Sequence, residues 1–163
     1  MEKYVYRGKL DRVIDGDTID AMIDVGFDIW VHKRIRFSGI DAWESRTRNL
    51  DEKKKGLAAK ERLIVILNEV SNKPGFFRLK SEGVGKYGRV LGQIFIMDVD
   101  GVQWDVNQTL ITEGHGYAYF GGKKQAKIIK AGIAALFPNQ DPPPSKATNT
   151  KKANAKTTIQ GIN

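Results

Sequence analysis

Over the first forty residues, apolar and polar side chains alternate in short runs interrupted by small turn-forming pairs. A period of two is the mark of half-buried strands. Residues 4–14 form the first predicted strand, and Asp15-Gly16 is a two-residue hairpin signal. Residues 18–25 return from it, Gly26 turns the chain again, and residues 29–40 make the third strand. Then the period lengthens. In "LDEKKKGLAAKERLIVILNEV", Ala59, Leu63, Ile66 or Leu67, and Val70 share one helical face. Asn49 followed three residues later by Glu52 resembles a capping box, and Asn72-Lys73-Pro74-Gly75 ends the segment. Residues 76–80 and 90–97 read as the fourth and fifth strands, with Asp100-Gly101 turning after them. Residues 106–113 predict a short helix. Residues 125–137 predict a last one, with Ala126, Ile129, Ile133 and Leu136 facing inward.

Three strands, a helix, two strands and further helices is the element order of the OB-fold. The predicted class is therefore α+β, mainly β: a five-stranded OB-fold barrel with about three helices. From Pro138 the composition shifts to Pro, Thr, Asn and Lys with almost nothing to bury. The predicted division is one domain over residues 1–137 and a disordered basic tail over residues 138–163, either a solvated terminus or a loose tether for a polyanion.

Charge adds a partner class. The chain carries a formal net charge of +8 in 163 residues, and the body remains basic without the tail. Such a surface favours polyanions. The absence of cysteine excludes disulfides and thiolate chemistry. No apolar run approaches a membrane span, so no membrane partner is expected. The start, "MEKYVYRGKLDRV", has no apolar core of a signal peptide and reads as strand, which points to the cytoplasm for the sequence as given.

Several motifs carry candidate chemistry. In "DGDTID" the turn explains Asp15-Gly16 but does not require Asp17, whose carboxylate suits a hard cation. "RIRFSGIDAWESR" sets Asp41 and Glu44 among arginines at a strand's end. "GVGKYG" satisfies G-x-G-x-x-G but runs into a strand, not a helix, so it is no dinucleotide site. "KYGR" is either a basic loop tip or a phosphate clamp, in which Arg89 enters the next strand and is held rigid while Lys86 adds a point charge. "DVDG" has the wrong spacing for a calcium loop and reads as a turn. His32 and His115 stand alone and read as structural. Tyr117 and Tyr119 alternate onto one face, either as core aromatics or as rings that stack on bases. Together these describe phosphodiester cleavage: Asp17 and Asp41 for a cation, Glu44 to accept a proton from water, Arg36 and Arg89 for the phosphate.

"VIDGDTI", "RIRFSGIDAWE" and "GKYGR", in that order with a helix between the last two, resemble the staphylococcal nuclease (thermonuclease) family. The resemblance spans residues 4–137. It implies an OB-fold and Ca2+-dependent hydrolysis of DNA and RNA, single-stranded or locally melted, leaving 3′-phosphate ends. It also implies a monomer, and it is compatible with secretion. Carried over by motif, Asp17, Asp41 and the Ala42 carbonyl are the metal ligands, and Glu44 is the general base. Arg36 and Arg89 bind the reacting phosphate. Lys86 and Tyr87 contact a terminal phosphate, and Tyr117 and Tyr119 lie near the base. Trp43 departs from the family's usual proline, which leaves either a looser Glu44 or a new stacking surface. Ala134 stands where relatives often place tryptophan. The competing expectations are an OB barrel that holds single-stranded nucleic acid without cutting it, and a barrel used for protein contacts.

Overall fold

A long hairpin opens the fold in a computed structural model that describes residues 4–119. Strand β1 (Val5–Asp15) turns through Gly16-Asp17 into β2 (Thr18–Asp24), and β3 (Trp30–Phe37) continues the meander. β4 (Gly39–Ala42) precedes helix α1 (Leu50–Val65), followed by β5 (Phe76–Val84), β6 (Val90–Met97), β7 (Gln103–Asp105), α2 (Val106–Thr112) and β8 (Gly116–Tyr119). The sheet runs β3-β2-β1-β5-β6-β7. A parallel pairing of β3 with β6 closes five of these strands into a barrel. The class is the one expected, mainly β and OB-like. The third predicted helix, residues 125–137, and the basic tail lie outside the described residues. No helix among the described residues is long and apolar enough to cross a membrane.

Four features differ from expectation. The third strand is two strands, because Gly39 takes φ +73° and turns Gly39–Ala42 away to pair with β8. That bend carries Asp41 and Ala42 over the barrel mouth. The capping box is half made: Asn49 Oδ1 accepts from the N–H groups of Asp51 and Glu52, while its own N–H donates to Thr47 Oγ1. The helical segment ends in a π-helical turn over Ile66–Val70, with Ser71 N–H donating to Ile66 O at 3.2 Å. A widened turn lets neighbouring residues share a face, so both Ile66 and Leu67 are buried. β7 and β8, of three and four residues, were too short to be predicted as elements of the sheet.

The core fills the barrel and the space under the helices. Ile19, Ile35, Phe37 and Ile94 point inward from the strands, with Leu63 from α1 and Leu110 from α2. One polar side chain is built into this interior. Asn107 Oδ1 accepts from Ile94 N–H at 3.1 Å, and its Nδ2 donates to Ser38 O at 2.8 Å. It thereby ties α2 to both sides of the β3–β6 seam, just past the end of β3. Asn107→Ala leaves a buried N–H and C=O unpaired, each costing about 1–3 kcal/mol. Urea denaturation is expected to show a loss of about 2–3 kcal/mol. A loss of a few tenths would mean that the seam does not depend on this side chain.

Candidate active site

At the barrel mouth a cavity of about 210 Å³ is lined by Asp15, Asp17, Thr18, Arg36, Asp41, Ala42, Trp43, Glu44 and Arg89. Four separate parts of the chain supply these residues: the β1–β2 turn, the end of β3, the β4 segment with its exit loop, and the start of β6. Their convergence follows from register. Thr18 sits opposite Arg36 on β2–β3, and Arg36 sits beside Leu91 across the closing seam, which brings Arg89 alongside.

The Asp17 carboxylate is fixed on both oxygens. Thr18 Oγ1 donates to Oδ1 at 2.9 Å, and Ala42 N–H donates to Oδ2 at 2.8 Å. Arg36 Nη1 also ion-pairs with Asp17 Oδ2, while its Nη2 donates to Asp41 Oδ1 at 2.9 Å. One guanidinium therefore bridges the two carboxylates. Burial pulls the Arg36 pKa below its ordinary value, Asp41 opposes that, and the charge of Arg89 adds to the lowering. Arg89 Nε is buried and makes no hydrogen bond among the described residues. An unpaired buried donor is costly, and an anionic acceptor entering the cavity would satisfy it.

Glu44 is exposed at the rim. Its backbone, however, is held from two sides. Ser45 Oγ donates to Asp15 Oδ1. From the other side, α1 packs so closely that a Cβ on Gly56 would lie 2.6 Å from the Glu44 carbonyl and the Ser45 nitrogen. Trp43 is no loose substitute for a stiff turn. It is 5% exposed, meets Tyr117 edge-on with ring centroids 5.3 Å apart, and carries the Lys55 ammonium 4.4 Å from its centroid. Packing supplies the restraint, and the ring is not displayed as a stacking platform.

The other expected residues lie outside this cavity. Lys86 and Tyr87 occupy a 3-10 turn, Lys86–Gly88, between β5 and β6. Tyr87 is 89% exposed, with its ring centroid 5.7 Å from the Arg89 guanidinium. Tyr117 and Tyr119 sit on β8 opposite Asp41 and Gly39. Here the expectation that both rings serve one face for a base needs correcting: Tyr117 is buried against Trp43, and Tyr119 is the exposed member. His32 lies 3.2 Å from Asp11, and burial lowers the pKa of His115. No group of three or more His, Cys, Asp or Glu that could hold a metal occurs among the described residues. A cation at the mouth would thus have two carboxylates, with backbone and water oxygens completing its shell.

Beside the mouth lies a broader depression of about 580 Å³, lined by Arg12, Asp20, His32, Arg34, Tyr87, Gly88 and Arg89. Asp20 is its centre. Arg34 Nε and Nη2 donate to the two Asp20 oxygens at 2.7 and 2.9 Å, and Arg12 Nε donates at 2.9 Å. Hydrogen bonding from Arg34 is the largest cause that lowers the Asp20 pKa to about 2. Burial opposes it, and Arg12 lowers it further.

Asp15, Thr18, Asp20, Ser45 and Gly56 were not singled out as site residues from the sequence. Gly56 did leave a signal, since glycine inside a helix costs about 1 kcal/mol relative to alanine and needs a reason. The others become visible only once strand register is known.

A closed barrel whose mouth gathers carboxylates and two arginines is the architecture of a domain that handles phosphate polyanions. The staphylococcal nuclease homologue family matches residues 34–131, and the chain belongs to that family. Its domain is accordingly of a nuclease-like or nucleic-acid-binding type. No curated protein matches the chain.

Two outcomes follow. Gly56→Ala in an ordinary helix would stabilise by about 1 kcal/mol. Here the sign is expected to reverse in urea denaturation, because the methyl displaces the Glu44–Ser45 backbone; a stabilised variant would sink the contact. For Asp20, the folded pKa lies below the ordinary value of 3.8. The folded state therefore binds that proton more weakly than the unfolded chain. Its contribution to stability is complete above 3.8 and is lost as pH falls toward about 2. Denaturation curves across that window should fall less steeply for Asp20→Asn than for the parent protein.

Proposed function

We propose that the protein is a Ca2+-dependent phosphodiesterase that hydrolyses DNA and RNA internally, with low sequence specificity, leaving 3′-phosphate ends. The observation that carries the reading is the single cavity shared by Asp17, Asp41, Glu44, Arg36 and Arg89. Binding alone has no use for three carboxylates facing a polyanion.

The donor set fits a hard cation. Asp17 and Asp41 would hold it, together with the Ala42 carbonyl. Bound there, Ca2+ supplies positive charge beside the phosphate and helps to order a water. The protein's own groups do the rest. Arg36 and Arg89 grip the phosphate oxygens and stabilise the charge that builds on them. Glu44 orients the water and takes one of its protons as the oxygen bonds to phosphorus. The bond from phosphorus to the 5′ oxygen breaks, and that oxygen takes a proton from solvent, leaving phosphate on the 3′ side. Lys86 and Tyr87 contact a terminal phosphate beyond the mouth. Tyr119, rather than Tyr117, is the aromatic side chain accessible to a base. The working unit is the domain over residues 1–137, acting as a monomer on single-stranded or locally melted substrate, with residues 138–163 as a basic appendage.

Heat-denatured DNA incubated with Ca2+ should be cut to fragments bearing 3′-phosphates, and a chelator should stop the reaction. Glu44→Gln is expected to slow cleavage by about 10²–10⁴-fold with the fold intact. Arg36→Lys should lose about a hundredfold or more, because an ammonium cannot reproduce a two-point grip. DNA retention without fragments by the parent protein in Ca2+ would make the protein a binding barrel instead.

A further inference from the structure

Asp20, Arg12 and Arg34 form one rung across three strands. Arg12 pairs with Asp20 on β1–β2, and Asp20 pairs with Arg34 on β2–β3. A second rung, Thr18 with Arg36, lies two residues along the same strands. Residues two apart on a strand share a face and are separated by about 7 Å. The outer rung is thus the continuation of the catalytic one.

Its chemistry is that of a preset anion grip. The Asp20 side chain is 2% exposed, while those of Arg12 and Arg34 are 64% and 46% exposed. The buried carboxylate locks both guanidiniums in place, yet each keeps N–H groups that Asp20 does not use. The rung carries a net charge of +1. Most of the ordering cost of two long side chains is met on folding and is not charged to binding. Arg89 lines both this depression and the catalytic cavity, so the two are contiguous. The exposed Tyr87 ring stands at the shared edge.

We infer that Arg12 and Arg34, splayed by Asp20, form a subsite for the phosphodiester next to the one being cleaved, so that the cleft reads polynucleotide length. The inference rests on the proposed reading of the catalytic cavity. The spacing of the rungs is of the order of one sugar–phosphate repeat, and both rungs face the same way. A strand whose reacting phosphate lies between Arg36 and Arg89 passes Tyr87 and brings its neighbour to the outer rung.

The test removes the rung without stranding a buried charge, in the triple variant Arg12→Gln/Asp20→Asn/Arg34→Gln. Binding and Ca2+-dependent cleavage of an oligodeoxythymidylate of about a dozen nucleotides are compared with those of a thymidine dinucleotide. The parent protein should favour the longer ligand, and the variant should lose about tenfold of that preference. The slope of log affinity against log salt should fall by about 0.7, the value for one phosphate contact on a single strand. An unchanged preference and slope in a folded variant overturn the subsite and leave the catalytic reading standing. A parent protein that shows the length preference without cleaving keeps the subsite and removes the hydrolytic reading. If the triple variant fails to fold, the single variant Arg34→Gln, which keeps Arg12 on Asp20, is read the same way with about half the effect.

Discussion

Everything at the mouth depends on the closing seam. β3 and β6 pair in parallel for three residues, Ile35 to Phe37 against Val90 to Gly92. Without that pairing the meander would be an open sheet, with Arg36 on one edge and Arg89 on another. The seam is short, and it is reinforced where it ends. Ser38 N–H donates to Gly92 O at 2.9 Å, and Asn107 reaches both strands from α2. Gly92 is required here because a Cβ would lie 2.5 Å from Lys80 O on the neighbouring strand. A buried amide and a missing side chain together hold two arginines on one cavity.

The carboxylates depend on a different device, the bend at Gly39. It turns the chain off the barrel and onto β8, so that Ala42 N–H can meet Asp17 and Asp41 can meet Arg36. The small residues Gly16, Gly56 and Ala59 then let α1 press on the turn and on the Glu44–Ser45 backbone. A Cβ on Gly16 would come within 2.7 Å of Ala59 Cβ. Rigid elements thus position a site made largely of loop residues, with close backbone packing as the restraint.

Much of this was readable from residue pattern because strand alternation and the 3.6-residue period are local. Asp15-Gly16 announced its hairpin, and the spacing of Ala59 and Leu63 announced the buried face of α1. The metal-seeking and phosphate-seeking residue types could be picked out singly, and their order resembled one family. What stayed hidden depended on register or close approach. Asp20 is an unremarkable strand residue until Arg12 and Arg34 are known to flank it. Gly39 looked like part of one strand because its φ is not written in the alternation. Whether Trp43 and Tyr117 were packed or ligand-facing aromatics stayed open, since burial of a ring depends on the partner across the sheet.

The Arg36 bridge makes the resting mouth its own counterion. Arg36 offsets one of the two charges of Asp17 and Asp41, so on the proposed reading a cation would compete with it for the acids, and a phosphate would compete with the acids for the guanidinium. Each visitor would free the group that the other requires. Occupancy by one would then raise affinity for the other, and thermodynamic reciprocity would make the two enhancements equal. On that reading the pocket would discriminate against a lone ion or a lone anion and favour the pair.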